Sequence, residues 1–255
     1  MLYICANNKG GVGKTQTATT LATILFYRGR QFRVIELDNN NTSMLFSNSR
    51  ILGSDKAISL RLDEKTKAIG SMIFQIANNK EMDYILDIGG GDDIKALLES
   101  LKILKLEKTW LIPTTSDKKY LTNAADTFEM IGDPKNTFFI LNKVYGKESL
   151  ENEFMYFFGN SKFGIKTVSD VFTKTKYLSI PHSQFFQIAE DSEQTLLDLA
   201  LISIEKNEEE ITAEFLKIAA GDENKFIQLW AQYEQSQVAA KIFFEIEKSF
   251  KKLLN

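Results

Sequence analysis

Short apolar runs alternate along this chain with longer segments whose apolar residues recur at helical spacing. Residues 2–6, 32–38, 83–88, 109–113, 137–142 and 177–181 read as strands, and Ala57-Ile58-Ser59-Leu60 as a further short one. Between them, residues 17–26 place Ala18, Leu21, Ala22 and Leu25 on one helical face, and residues 65–78 do the same with Ile69, Met72, Ile73 and Ile76. Residues 94–106 and 117–130 follow as helices. Strands that are apolar throughout are buried on both faces, and their alternation with helices implies a parallel sheet. The predicted fold class is α/β, a mostly parallel twisted sheet flanked by helices, with a helical C-terminal segment. Residues 147–175 read as helical or irregular, with Phe154, Tyr156, Phe157 and Phe158 as packing residues. From residue 191 onward the pattern is all helix, with an acidic stretch (Glu205, Glu208, Glu209, Glu210) between two segments. No repeat or low-complexity linker divides the chain. One domain over residues 1–255 is expected, its core within roughly the first 200 residues and the last helices packed on it.

Composition narrows the classes of function. A hydrophobic content of 44% with 25% charged residues is that of an ordinary water-exposed globule. The net charge of −3 gives no global basic field, so any nucleic-acid site must be local. Cys5 is the only cysteine and lies in the first strand, which excludes an internal disulfide or a multi-cysteine metal cluster within one chain. A strand at the N-terminus leaves no room for a signal peptide, and no apolar run approaches the length of a membrane span. A cytoplasmic location is expected.

The chemistry is concentrated after the first strand, in Asn8-Lys9-Gly10-Gly11-Val12-Gly13-Lys14-Thr15. Strand, glycine-rich loop, helix is the context of a phosphate-binding loop. Glycines let successive N–H groups turn inward, and the following helix adds its positive end. Lys14 would reach the β- and γ-phosphates, and the Thr15 hydroxyl would ligate Mg²⁺. Asp38, Asp87 and Asn142 also end strands. In a parallel sheet that collects them at one edge with the loop.

The general pattern G-x-x-x-x-G-K-[ST] is not met, because Asn8 stands at its first glycine. What stands there, K-G-G-V-G-K-T, resembles the deviant Walker A motif of the ParA/MinD family of ATPases, which have the P-loop NTPase fold. The resemblance covers roughly residues 1–200. It implies ATP/ADP and Mg²⁺ as cofactors, with nucleotide contacts at Lys9, Gly10, Gly11, Val12, Gly13, Lys14, Thr15 and Gln16. It also implies that Lys9 reaches across a homodimer interface to the partner's nucleotide. Val34-Ile35-Glu36-Leu37-Asp38 resembles the family's D-x-D segment, Asp38 matching the acid that orients the attacking water; Glu36 replaces the first acid, and Asn39-Asn40 stands for the usual Pro-Gln. Ile85-Leu86-Asp87 resembles the Walker B element, with Asp87 holding Mg²⁺, and Gly89-Gly90-Gly91 fits a γ-phosphate sensor. Asp92 and Asp93 read as a helix N-cap and first-turn acid. Asn142 matches the family's adenine-recognising asparagine, Pro181 its strand-end proline beside the base, and His182 reads as an exposed loop residue.

Starting at the P-loop strand without a helix-turn-helix extension, the chain resembles the short partition ATPases of plasmids and mobile elements. The resemblance implies slow, partner-stimulated hydrolysis and an ATP-bound dimer that binds DNA without sequence preference. It implies a ParB-like or small DNA-binding activator protein as partner, and nucleoid association. Lys56, Arg61, Lys65, Lys67, Lys102, Lys105, Lys108, Lys118 and Lys119 are the candidate DNA contacts. MinD-like membrane positioning and assistance to conjugative DNA transfer are the alternatives. In residues 241–255, Ile242, Phe243, Ile246, Phe250, Leu253 and Leu254 share an arc of about 120°, with the lysines outside it. That layout fits docking on the domain or a dimer partner, DNA contact, or a membrane interface.

Overall fold

Successive strand residues face opposite sides of a sheet, and in this chain both sides are apolar. Tyr3 and Cys5 of the first strand enter one core cluster, while Leu2 and Ile4 enter another. The computed structural model describes residues 1–37, 46–53, 55–60, 65–79, 81–89 and 94–254, with the side chains of 65, 66, 68, 94, 96 and 103 excepted. Among these, β1 (Leu2–Cys5), β2 (Phe32–Leu37), β3 (Ala57–Leu60), β4 (Asp83–Ile88), β5 (Lys108–Thr114), β6 (Thr137–Val144) and β7 (Lys176–Pro181) form one seven-stranded sheet of order β3-β2-β4-β1-β5-β6-β7. Every pairing is parallel, as expected. β1 lies between β4 and β5, so the chain winds outward from it in both directions. The loop after β1 therefore opens at the switch point where α/β sheets bind ligands.

The connections are α1 (Lys14–Tyr27), α2 (Lys65–Asn78), α3 (Ile94–Ile103), α4 (Lys118–Ile131), the short α5 (Leu150–Glu153) and α6 (Met155–Phe158), and α7 (Gln184–Asp191). After them come α8 (Leu196–Glu205), α9 (Glu208–Ala219) and α10 (Glu223–Leu254). One face of the sheet packs on α1, α8 and α10, the other on α2, α3, α4 and residues 154–172. Within the second cluster Phe157 stacks on Phe172 at 4.4 Å, and both meet Phe139 edge-on. Phe154 and Phe157 are core and Tyr156 and Phe158 pack against it, in agreement with the sequence reading, whereas Phe163 is exposed.

The acidic stretch spans the junction of two helices, Glu205 ending α8. Glu208, Glu209 and Glu210 form the first turn of α9, where Asn207 and Glu210 make a capping box and carboxylates meet the positive helix end. The C-terminal arc is docked on the domain: Phe243, Ile246 and Phe250 are fully buried, Ile242, Leu253 and Leu254 pack beside them, and the Ser249 hydroxyl accepts from Ser179 N at 2.9 Å. Each such burial is worth about 1.5–3 kcal/mol, so freeing the three largest side chains would cost on the order of 5 kcal/mol or more. No helix among the described residues is long and apolar enough to cross a membrane.

Several of the candidate DNA-contact lysines are engaged within the domain, among them Lys118, whose Nζ lies 5.6 Å from the centroid of the Tyr156 ring. Lys108 Nζ donates to the carbonyls of Leu101, Lys102 and Leu104, closing the C-terminal end of α3, and this burial lowers its pKa although Asp133 opposes the shift. Lys102 Nζ bonds Met130 O and Glu99, and Lys56 lies over the rings of Phe26 and Phe32. Lys67, Lys105, Lys118 and Lys119 are exposed. Arg61 and the side chain of Lys65 lie outside the described residues.

Candidate nucleotide site

The loop after β1 is pinned at its root. Ala6 N donates to Leu111 O, buried Asn7 donates to Pro113 O, and Asn7 Oδ1 accepts from Lys9 N at 3.0 Å. Asn8 N reaches Thr127 Oγ1 on α4. Gly11 (φ 76°) and Gly13 (φ 93°) adopt left-handed conformations that glycine takes without strain. Gly13 is the N-cap of α1 and makes no side-chain cap. The first-turn N–H groups are thus available to an anion.

The two loop lysines diverge. Lys14 is buried, with Nζ donating to Lys9 O at 3.0 Å, as a cation folded over an anion cradle would. Lys9 is exposed at the front of the loop. Thr15 Oγ1 donates to Asp87 Oδ2 at 2.6 Å. A hydroxyl and a carboxylate in contact at a strand end suit a hard, oxygen-seeking cation, so Thr15 and Asp87 fit Mg²⁺. Glu36 stands beside Asp87 in the register of β2 and β4 and accepts from Ser59 Oγ at 2.9 Å. Cys5 lies beside Asp87 on the other side. Its burial, and then the Asp87 carboxylate, push the thiol pKa well up against the opposing pull of Lys14.

These groups line a cleft of about 930 Å³. Gly10, Gly11, Gly13, Lys14 and Thr15 bound one end with Glu36 and Asp87; Lys143, Pro181 and His182 bound another, and Gln16 lies along it. Gly89 also faces the cleft. Asp38, Gly90, Gly91, Asp92 and Asp93 lie outside the described residues. At the far end of the segment after β2, Ser49 Oγ and Arg50 N both bond Asp198 at the start of α8.

Asn142, matched above to the base, packs beside Gly13. It is fully buried against the loop, with Nδ2 donating to Val12 O at 3.2 Å and to Gln16 Oε1 at 3.1 Å, while Oδ1 accepts from Lys143 N. The contact with Gly13 is so close that a Cβ there would lie 1.7 Å from Asn142 Nδ2. Val12 is likewise buried and contributes its carbonyl to this clamp.

Two features of this end of the cleft escaped the sequence reading. The pairing of β6 with β7 breaks register between Leu141 and Val144, and within that irregularity Lys143 takes φ 60°, rare for a residue with a Cβ. Just beyond, the rings of Tyr145 and His182 lie 4.4 Å apart and tilted by 35°. His182 N donates to Val144 O at 2.7 Å, and Glu153 accepts from the N–H groups of Tyr145 and Gly146. Nothing local marks a bulge, so no pattern in residues 142–146 announces this pair.

The model of the CobQ/CobB/MinD/ParA nucleotide-binding domain matches residues 3–171. Among solved structures, the MinD cell division protein of Aquifex aeolicus is similar with a TM-score of 0.53 at 17% identity, over 77% of this chain and 89% of that one. The MinC:MinD cell division protein complex of the same organism gives 0.54 at 13%, over 99% and 95%. Apo McdA of Cyanothece gives 0.51 at 13%, over 91% and 98%. At these identities the likeness is one of fold. No curated protein sequence matches the chain.

Proposed function

The chain belongs to the CobQ/CobB/MinD/ParA nucleotide-binding family, and on that premise we propose that it is an ATPase that dimerises with ATP and acts as a nucleotide-controlled switch in the segregation of plasmid or other mobile DNA. The observation that carries the proposal is the division between the two loop lysines: Lys14 folded into the cradle, Lys9 exposed in front of it. One cation is placed for the phosphates of its own chain, and the other is free to serve a facing copy.

In this reading the loop N–H groups and Lys14 hold the triphosphate, and Asp38 orients the attacking water. Lys9 of the facing copy adds a cation where charge develops, as an arginine finger does in trans. Thr15 and Asp87 would hold Mg²⁺, which when bound neutralises charge on the β- and γ-phosphate oxygens. Hydrolysis then depends on assembly, so ATP is both the glue of the dimer and its timer. A ParB-like or small DNA-binding protein would accelerate it.

The docked C-terminal arc supports DNA rather than a membrane as the surface addressed, because that helix's apolar side chains already form core. Exposed Lys67, Lys105, Lys118 and Lys119 are the candidate phosphate contacts. The test is co-sedimentation with DNA and, separately, with anionic liposomes, each with ADP and with a slowly hydrolysed ATP analogue. ATP-analogue-dependent retention on DNA is expected. Retention on liposomes alone would overturn the DNA assignment in favour of membrane positioning.

A further inference from the structure

α9 and the first half of α10 form an antiparallel hairpin with a core of its own. Ile211, Phe215 and Tyr233 are buried there with Phe226, Leu229 and Trp230 packed against them, a cluster separate from the two that line the sheet. The turn between the helices is short. Ala220 and Gly221 take positive φ, and Asp222 Oδ1 accepts from Lys225 N to open α10. The hairpin lies beyond residues 3–171, which the family's model matches, and none of its residues named here lines the nucleotide cleft.

Helical spacing sorts the rest of the hairpin into two flanks. On one, α8 closes the gap, with Ser236 Oγ accepting from Ser203 N at 3.1 Å. On the other, Leu216 of α9 comes level with Ile227 of α10, and these side chains are 59% and 56% exposed. Half-buried Trp230 follows about one turn along, stacked on Phe226 at 6.0 Å and 5.5 Å from Tyr233. Glu209, Glu223 and Glu234 share this flank and are exposed. Residues 208–238 hold seven acidic residues and two lysines, −5 in all, against −3 for the entire chain. That charge decides what can cover the apolar flank. A second copy would bring the same −5 against it, and DNA or an anionic bilayer would meet it with phosphate. A helix with apolar residues on one face and lysines or arginines beside them matches it in both respects.

We propose that this flank is the docking surface for a basic amphipathic helix of a protein partner. The identity of that partner, a small DNA-binding activator, rests on the switch reading given above; the surface itself does not.

The test titrates the whole chain, without nucleotide, with a synthetic helix of about 18 leucines and lysines, its leucines on one face. The controls are the same residues in scrambled order and the helix with every lysine replaced by glutamate. Trp230 is the reporter. Trp110, the other tryptophan, is fully buried, so a blue shift of emission on docking comes from Trp230. The basic helix should bind saturably and at least about tenfold tighter than either control. Leu216→Ala combined with Ile227→Ala should weaken it roughly tenfold, and both positions are exposed, so the fold is kept. Glu223→Gln combined with Glu234→Gln should weaken it about threefold and flatten its salt dependence. Equal binding of either control peptide, or double-alanine binding like wild type, overturns the proposal. A nucleotide-independent dimer in sedimentation that Leu216→Lys dissolves also overturns it, since a second copy then covers the flank. Lys14→Ala should bind the helix as wild type does. If wild type binds the helix yet shows no ATP-dependent dimer or DNA retention, the switch reading falls and the docking surface stands.

Discussion

Gly13→Ala is the substitution whose consequence the structure defines most closely. At φ 93° a Cβ brings left-handed strain of about 1–2 kcal/mol. The new methyl would also lie 1.7 Å from Asn142 Nδ2. The amide must withdraw by a similar distance, losing its bonds to Val12 O and Gln16 Oε1 at about 1 kcal/mol net each. The total is about 3–4 kcal/mol. A chain of 255 residues has an unfolding entropy near 0.5 kcal/mol/K, so the melting temperature should fall by about 6–8 K. Asn142→Ala alone should cost about 3 kcal/mol, since it also strands Lys143 N. The double variant removes the collision, and its lost bonds are counted once. It should be more stable than the sum of the singles by about 2 kcal/mol, the size of coupling expected for residues in contact. Differential scanning calorimetry of the four proteins measures this. Additivity within about 0.5 kcal/mol, or a Gly13→Ala melting temperature within about 2 K of wild type, refutes the clamp.

Lys9→Ala should bind ATP with modest loss yet fail to form the ATP-dependent dimer, with turnover reduced on the order of a thousandfold as for a finger residue. Light scattering beside a turnover assay reads both, and normal dimerisation would make Lys9 a solvated loop residue. Asp38→Ala should keep ATP binding and lose phosphate release; wild-type release would assign the attacking water to another acid, Glu36 first. Lys108→Ala should lower stability by about 1–2 kcal/mol by uncapping two α3 carbonyls and that of Leu104 just beyond, and leave DNA retention unchanged, whereas a loss of retention without loss of stability would make it a DNA contact. Cys5 should resist thiol reagents until the chain unfolds. Because its folded pKa is raised, stability should decline as pH climbs above the ordinary thiol value of 9.0, where only the unfolded chain releases the proton. Cys5→Ala should flatten that decline in urea titrations run across alkaline pH, and rapid labelling of the folded chain would contradict the burial.

Much of this protein is determined by interactions between near neighbours, and that part is readable from the amino-acid order. Lys65–Asn78 and Asp83–Ile88 form the helix and strand read for them, because apolar period and β-propensity act over a few residues. The phosphate loop is equally local: glycines with positive φ, a strand before and a helix after. Contacts between distant segments decided the rest. Nothing in residues 2–5 says that β1 lies between β4 and β5, or that Glu36 stands beside Asp87. Asn142 turned inward because the Val12 carbonyl, 130 residues away in sequence, offered its amide a buried partner. The Tyr145–His182 pair depends on a break in register between two strands, β6 and β7. The last helix shows the limit most plainly. Its apolar arc is the same whether it meets a bilayer, a second copy or its own sheet, and only the folded chain, by burying Phe243, Ile246 and Phe250 against β7 and α8, chose among them.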